Sequence, residues 1–368
     1  MITRRFRLLA GVIFAVCLAS LPYALGAQAQ TPAPAPAQAV QARLTDREFW
    51  KLIADLSEPS GKFQSENLLS NETRLQYIIP ELLTKAKPGG AYLGVGPEQN
   101  FTLMAAVKPS MAFIVDIRRG NLQLHLLYKA LFELSSTRAE FVSRLFSRPK
   151  PAALRSGATP AEMFAAFVDA EPSPALYKDN LKAVEALLIT KHGFAMSKED
   201  IAGVEYVYNA FFSYGPGIQY SSSDGFAGSG EPNYVNVMLA TDASGQQRGY
   251  LTSDEAFLAV KDLQARNVIV PLVGDFAGSK AIRAVGRYLK ERDVTVSAFY
   301  VSNVEQYLRL FRTWPAFCAN AQSLPLDQSS TFIRAGRGGR VGRGNTMTAE
   351  LTSIAAEVQF CAANNARP

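Results

Sequence analysis

Two glycines and one aspartate carry the sharpest chemical signal in this 368-residue chain. Gly94-Val95-Gly96 closes the apolar run that begins at Ala91, and Asp116 closes the next, Met111 to Asp116, twenty residues beyond Gly96. Glycines at such a turn let the backbone bend tightly from strand to helix and let a ligand approach without a Cβ in the way. A carboxylate at that distance is where nucleotide-binding folds hold ribose hydroxyls. The competing reading is a glycine turn and an acidic strand end that serve only the fold.

The residues after the turn narrow the ligand. Pro97, Glu98, Gln99 and Asn100 follow Gly96, so the third glycine of the dinucleotide fingerprint is missing. Glu98 would bring negative charge to a helix N-terminus, where a pyrophosphate otherwise sits. That points away from NAD or FAD and toward a ligand without phosphates. S-adenosylmethionine, a nucleoside bearing an amino acid and a sulfonium, meets the condition.

Other residues offer weaker chemistry. Arg118 and Arg119 could grip a carboxylate or phosphate in bidentate fashion, or pair with Glu98 or Asp116 to hold the turn. Asp275, in Gly274-Asp275-Phe276, ends a strand where open α/β sheets bind ligands, or else caps a helix. Asn303 is in a similar place. Tyr214 and Tyr220 could wall a substrate, and Ser221-Ser222-Ser223 beside them reads as loop. His125 could be a base or a packing residue, and with His192 the only other histidine a zinc site is not indicated. The G-x-S-x-G elbow of the common α/β serine hydrolases is missing from the sequence.

The elements that must position these residues follow from the apolar periodicity. Thr45-Asp46-Arg47-Glu48 is a capping box, and Phe49, Trp50, Ile53 and Leu56 then recur at helical spacing up to Glu58-Pro59. A second helix is expected from about Glu72 to Lys85, with a bend at Pro80. Residues 91–96, 111–116, 235–239, 268–273 and 294–301 read as strands. Helices are expected at 100–107, 253–265 and 279–291, and mostly helical structure over 122–146 and 160–212. This alternation predicts a Rossmann-like, doubly wound α/β sheet with a helical N-terminal lead and a helical or loop-rich insertion over about 120–234. The Ser-, Gly- and Tyr-rich stretch 214–233 is long enough for a functional or disordered loop.

Four stretches, YLGVGPEQNF, AFIVDIRRGNLQLHLLYKALFEL, VPLVGDFAG and FYVSNVEQYL, together resemble a family of uncharacterised bacterial proteins with a class I S-adenosylmethionine-dependent methyltransferase-like fold. The likeness spans residues 44 to 335. It implies a methyltransferase-type core with Gly94 and Gly96 in the first cofactor motif and Asp116 as the ribose acid. It also puts Asp275 where such enzymes carry a cofactor- or substrate-facing residue. From the residues themselves, Glu98, Asn100 and Arg118 are further cofactor-binding candidates, and Arg119, Tyr214, Tyr220 and Asn303 are substrate-binding ones. Two positions depart from the pattern: Tyr92 stands where an acid usually precedes the first glycine, and Glu98 where the third glycine belongs.

The ends of the chain concern destination. Arg4, Arg5 and Arg7, the apolar run Leu8 to Leu21, and Ala27-Gln28-Ala29 compose a cleavable signal peptide over 1–29, although a retained anchor shares the charge and apolarity. Thr3-Arg4-Arg5-Phe6 also hints at twin-arginine export. The run is too short to span a bilayer, and residues 30–43 read as an extended Pro/Ala linker. The expected destination is the periplasm or the outside of the cell. Removing three arginines lowers the formal charge from +6 to +3, which gives nucleic acid no electrostatic footing. The RAGRGGRVGRGN stretch reads as a flexible basic segment, part of a tail over 336–368 that ends in a helix. After cleavage two cysteines remain, Cys318 and Cys361, either one disulfide or two buried thiols. Three readings stay open: methyl transfer; a non-catalytic binding protein on the same fold, its cleft closed by Tyr92, Glu98 and the arginines; and another exported enzyme taking a carboxylate or sugar through Arg118 and Arg119.

Overall fold

The computed structural model describes residues 43–155, 157–220, 231–335 and 349–365. The signal-peptide and linker readings and the arginine-glycine stretch from 336 onward lie outside them. The helices in chain order are α1 (Asp46–Leu56), α2 (Ile79–Lys85), α3 (Gln99–Val107), α4 (Arg119–Leu134), α5 (Arg138–Phe146), α6 (Pro160–Val168) and α7 (Pro174–Glu185). They continue with α8 (Lys198–Tyr214), α9 (Tyr234–Leu239), α10 (Asp254–Ala265), α11 (Ala281–Lys290), α12 (Val304–Leu310), α13 (Trp314–Gln322) and α14 (Ile354–Asn365). The strands are β1 (Ala91–Gly94), β2 (Met111–Asp116), β3 (Ile269–Val273), β4 (Val296–Ser302), β5 (Thr331–Ala335) and β6 (Ala349–Ser353).

They form one six-stranded sheet in the order β3-β2-β1-β4-β5-β6. β1 to β5 run parallel, and β6 returns antiparallel to β5. Parallel strands buried on both faces need continuous apolar runs, and every residue of β1, β2 and β3 is buried. The order and direction are compatible with a Rossmann-like fold. The direction of strand addition reverses between β1 and β4, so this sheet has a switch point at their carboxyl ends.

Three sequence expectations change here. Residues 235–239 are not a strand: Asn233 caps a helix through the N–H of Asn236, and Tyr234, Val237 and Met238 bury one side of it. A five-residue apolar run fits either structure, and burial decided for the helix. The segment 72–85 becomes a turn, a 3₁₀ helix at Leu75–Ile78 and then α2, with Pro80 in its first turn, where the missing N–H costs nothing. The sheet continues past residue 334, since β5 ends at Ala335 and β6 falls within the expected tail. Arg334 is a buried strand residue paired with Glu305 and Glu357.

The insertion between β2 and β3 is helical, as its pattern implied. It packs on α3, between β1 and β2, where the Phe101 ring meets His125, Tyr128, Phe132 and Tyr250 edge-on at 5.2–5.5 Å. The N-terminal lead is fastened to the insertion by polar contacts. His192 bridges Asp46 (2.8 Å) and Glu133 (2.9 Å), and Lys129 reaches Glu133 at 2.8 Å. The His192 hydrogen bond and the Lys129 ammonium hold the Glu133 carboxyl down at about 2 against its burial.

Cys318 on α13 and Cys361 on α14, 43 positions apart in sequence, form a disulfide with Cα atoms 6.0 Å apart. Closing such a loop restricts the unfolded chain and is worth about 2–4 kcal/mol. Cys318→Ser, Cys361→Ser or reductant is therefore expected to lower the unfolding free energy by that amount, read as a lower denaturant midpoint. Midpoints that coincide with and without reductant would show that the bond adds nothing.

Candidate functional site

The carboxyl ends of β1 to β4 open into a cavity of about 360 Å³, at the switch point where open α/β sheets bind ligands. One side is the loop after α1, which brings Lys62, Phe63, Asn67 and Glu72 over the strand ends. The other is α12, and Tyr307 meets Phe63 edge-on at 4.9 Å across the cavity's rim. Gly96, Asp116, Arg118, Asp275, Asn303 and Tyr220 all line it. Residues from five separate parts of the chain that the sequence singled out thus converge on one space. Tyr220 is held there by a 2.9 Å hydrogen bond between its hydroxyl and that of Ser65.

The glycine turn is built from beneath. Asn100 Nδ2 donates to the carbonyls of Val95, Gly96 and Pro97, and its Oδ1 accepts from the Tyr92 hydroxyl at 2.8 Å. Asn100 is fully buried by this and does not line the cavity. Tyr92, in the place of the usual acid, therefore anchors the turn from below. Gly94 is required by the same packing, because a Cβ there would stand 1.9 Å from Asn100 Oδ1. Gly96 needs its lack of side chain for another reason, a φ of +73°. Its carbonyl also meets His125 Nε2 at 2.9 Å. Burial pushes the imidazole down to about 4, so His125 is a neutral donor to the turn.

Glu98 also departs from its expected place. It is fully buried and does not line the cavity, and both carboxylate oxygens accept from the Ser70 N–H at 3.2 Å. Burial raises its carboxyl to about 8, so it is a neutral acid at pH 7. The charge expected to repel a pyrophosphate is absent for that reason. A cleft closed by Tyr92 and Glu98 is likewise not what the structure has.

Asp116 is 5 % exposed and accepts three hydrogen bonds from Arg118: from its backbone N–H at 2.9 Å, Nε at 3.0 Å and Nη2 at 2.8 Å. The planar guanidinium fork matches the carboxylate and fixes its plane. Arg119 turns the other way, binding both oxygens of Asp200 at 2.6 and 2.7 Å, and does not line the cavity. It fastens the start of α8 to the start of α4. Tyr214, exposed at the end of α8, is also outside the cavity lining.

The helix N-terminus that follows β3 is occupied from within the chain. Glu58 accepts from the N–H groups of Asp275, Lys280 and Ala281 at 3.0, 2.7 and 2.9 Å, filling the place of an anion at the start of α11. Gly278 leaves room for that carboxylate, since a Cβ there would lie 2.3 Å from it. Asp275 itself accepts from the Ala277 N–H at 2.8 Å in a local turn.

The residue that sequence reasoning passed over is Glu72, assigned to the first turn of a helix, where acids are commonplace. It is 4 % exposed, lines the cavity and accepts from the hydroxyls of Ser302 and Tyr300. Burial raises its carboxyl above the ordinary value. Ser302 holds a left-handed φ of +48° at a register shift at the end of β4, a conformation non-glycine residues adopt at some cost. Only the folded chain brings residues 72, 300 and 302 together, so no local motif announces them.

The chain is thus an α/β protein whose six-stranded, mostly parallel sheet carries a cleft at its switch point, floored by a glycine turn and lined by aromatic rings. The chain belongs to the family described as a domain of unknown function, DUF7790, which it matches over residues 68–156 and 159–364. The match takes in all six strands and Glu72; α1, Glu58 and Phe63 precede it. None of the curated proteins compared with the chain matches it. Among the described residues no group of three or more His, Cys, Asp or Glu side chains is arranged to hold a metal ion, and no helix is long and apolar enough to cross a membrane.

Proposed function

We propose that the cavity binds S-adenosylmethionine and that the protein is an exported, methyltransferase-type enzyme. The observation that carries this reading is the meeting of Gly96 and Asp116 at the ends of β1 and β2, on one wall of a cavity at the switch point. The fit to a nucleoside without phosphates rests on the α11 N-terminus, whose N–H groups already bond Glu58. Gly96 would give the cofactor backbone contact without a Cβ, and Asp116, oriented by Arg118, would accept from the ribose hydroxyls. Phe63, Tyr220 and Tyr307 offer flat surfaces, and Asp275 or Asn303 would orient the acceptor. The bound cofactor supplies an electrophilic methyl group; this chain's part is alignment and exclusion of water. The N-terminal signal pattern and the Cys318–Cys361 bond together favour an oxidising compartment.

One observation favours a second reading, a non-catalytic binding protein on this fold. Three donors from Arg118 already occupy the Asp116 carboxylate. Titration calorimetry of the purified protein with S-adenosylmethionine and S-adenosylhomocysteine separates the two. Micromolar binding that falls at least tenfold in Asp116→Ala is the expected result. No heat at millimolar ligand, from a protein with a cooperative unfolding transition, removes the cofactor and leaves the binding protein.

A further inference from the structure

Three carboxyl groups line the cavity, and they are not equivalent. Asp116 has Arg118, and Asp275 is half-buried and engaged in its own turn. Glu72 is buried, yet among the described residues no lysine, arginine or histidine forms an ion pair with it. A buried carboxyl group without a cation is costly when ionised and is ordinarily protonated or paired. What surrounds Glu72 is hydroxyl and ring: Ser302 and Tyr300 bond its carboxyl from β4, and Tyr92 faces it from β1. From α3, Gln99 takes the Glu72 backbone carbonyl at 2.9 Å and leaves the side chain to the cavity. Around the same space stand the rings of Phe63, Tyr220, Phe276 and Tyr307. A carboxylate lacking a counter-charge, in a space walled by aromatic faces, is the chemistry that recognises an ammonium or sulfonium group.

We propose that Glu72 is the cation-recognising residue of the cavity, which accordingly takes ligands carrying a quaternary ammonium or sulfonium group. The missing partner of Glu72 is supplied by the ligand. Loading converts the neutral acid to a carboxylate paired with the ligand cation, and the displaced proton goes to solvent. Ser302 and Tyr300 are positioning residues, which hold the carboxyl plane toward the cavity. The inference adds a charge requirement to the cofactor reading above, because S-adenosylmethionine is a sulfonium and S-adenosylhomocysteine, with the same amino-acid ammonium and carboxylate, is the thioether without that charge. It also stands without that reading, since any organic cation of suitable size meets the requirement.

Two ligand pairs test it on the purified full chain, wild type and Glu72→Gln, by calorimetry. One pair is S-adenosylmethionine and S-adenosylhomocysteine. The other is choline and its uncharged isostere 3,3-dimethylbutan-1-ol. The expected result is a preference of at least tenfold for the charged member in the wild type, shrinking to twofold or less in Glu72→Gln. Repeating the titration near neutral pH in buffers of different ionisation enthalpy should report release of a proton in the wild type only. Adenosyl ligands that bind equally well with and without charge, in both proteins, overturn the inference and leave the cofactor reading standing. A Glu72-dependent preference for choline with no adenosyl binding does the reverse. No binding of either pair to folded protein overturns both. Glu72→Asp guards against misfolding as the cause, because it retains the acid and should keep part of the preference.

Discussion

Replacing Glu98 by glutamine is expected to stabilise the protein at pH 8 and to leave it nearly unchanged at pH 4.5. The Glu98 carboxyl is fully buried and raised to about 8, from an ordinary value of 4.5. Below pH 4.5 both folded and unfolded chains carry its proton, and its contribution to stability is complete. Between 4.5 and about 8 the unfolded chain gives the proton up while the folded chain keeps it. Folding stability therefore falls as pH rises, by up to about 1.4 kcal/mol per unit. Across the window the loss is on the order of 3–5 kcal/mol, a large part of a typical domain's stability. His125 works in the opposite direction. Its imidazole is pushed down to about 4 from 6.5, so stability is lost as pH falls through that range. The two slopes oppose each other between 4.5 and 6.5, and from 6.5 to 8 the Glu98 slope is no longer offset by His125. Glutamine copies the protonated acid in shape and can still accept from the Ser70 N–H. Chemical denaturation at pH 5.5, 6.5 and 8 checks this: over the last interval the wild type should weaken more than Glu98→Gln. Parallel pH profiles for the two proteins would mean that Glu98 is ionised in the folded state.

The contrast between Glu98 and Asp116 explains how much of the site was legible beforehand. Position along the chain located the turn and the acid, because strand periodicity and a glycine pair are local signals, and both line or support the cavity. Direction was not legible. Glu98 and Asn100 follow the turn by two and four residues, yet both are turned into the interior by contacts with Ser70 and Tyr92. Arg118 and Arg119 are neighbours in sequence with partners in different places, Asp116 and Asp200. Tyr220 and Asn303 were readable as strand-end and loop residues, whereas Tyr214 lay one helix end away from the cavity. The sheet was legible where strands are continuous apolar runs. β5 and β6 escaped because Thr331, Arg334, Glu350 and Thr352 break the apolar pattern. Arg334 is buried there only by pairing with two glutamates distant in sequence. Glu72 and Glu58 were invisible for a related reason: each acts on groups more than 200 positions away.

Gly94→Ala and Gly96→Ala are expected to fail in different ways, and the difference isolates the fold from the binding surface. A methyl group on Gly94 would lie 1.9 Å from Asn100 Oδ1 and 2.9 Å from Tyr92 Cε1. Asn100 has no freedom to yield. Its amide holds three carbonyls at 2.7 to 3.1 Å, and its oxygen is the acceptor for Tyr92. Displacing it would leave several buried polar groups unpaired, at about 1–3 kcal/mol each. With two such groups unpaired, Gly94→Ala should therefore lose about 2–6 kcal/mol, and expression of folded protein should suffer. Gly96 has open space around its would-be Cβ and only the +73° φ to object. A left-handed alanine costs roughly 1–2 kcal/mol, so Gly96→Ala should still fold. Because Gly96 lines the cavity, its added methyl should weaken ligand binding although the core is intact. Denaturation midpoints and calorimetry on the two variants give the answer together. A Gly94→Ala protein as stable as Gly96→Ala would mean that the Asn100 staple does not hold the turn. Unchanged binding in a folded Gly96→Ala protein would place the ligand elsewhere in the cavity, away from the first strand end.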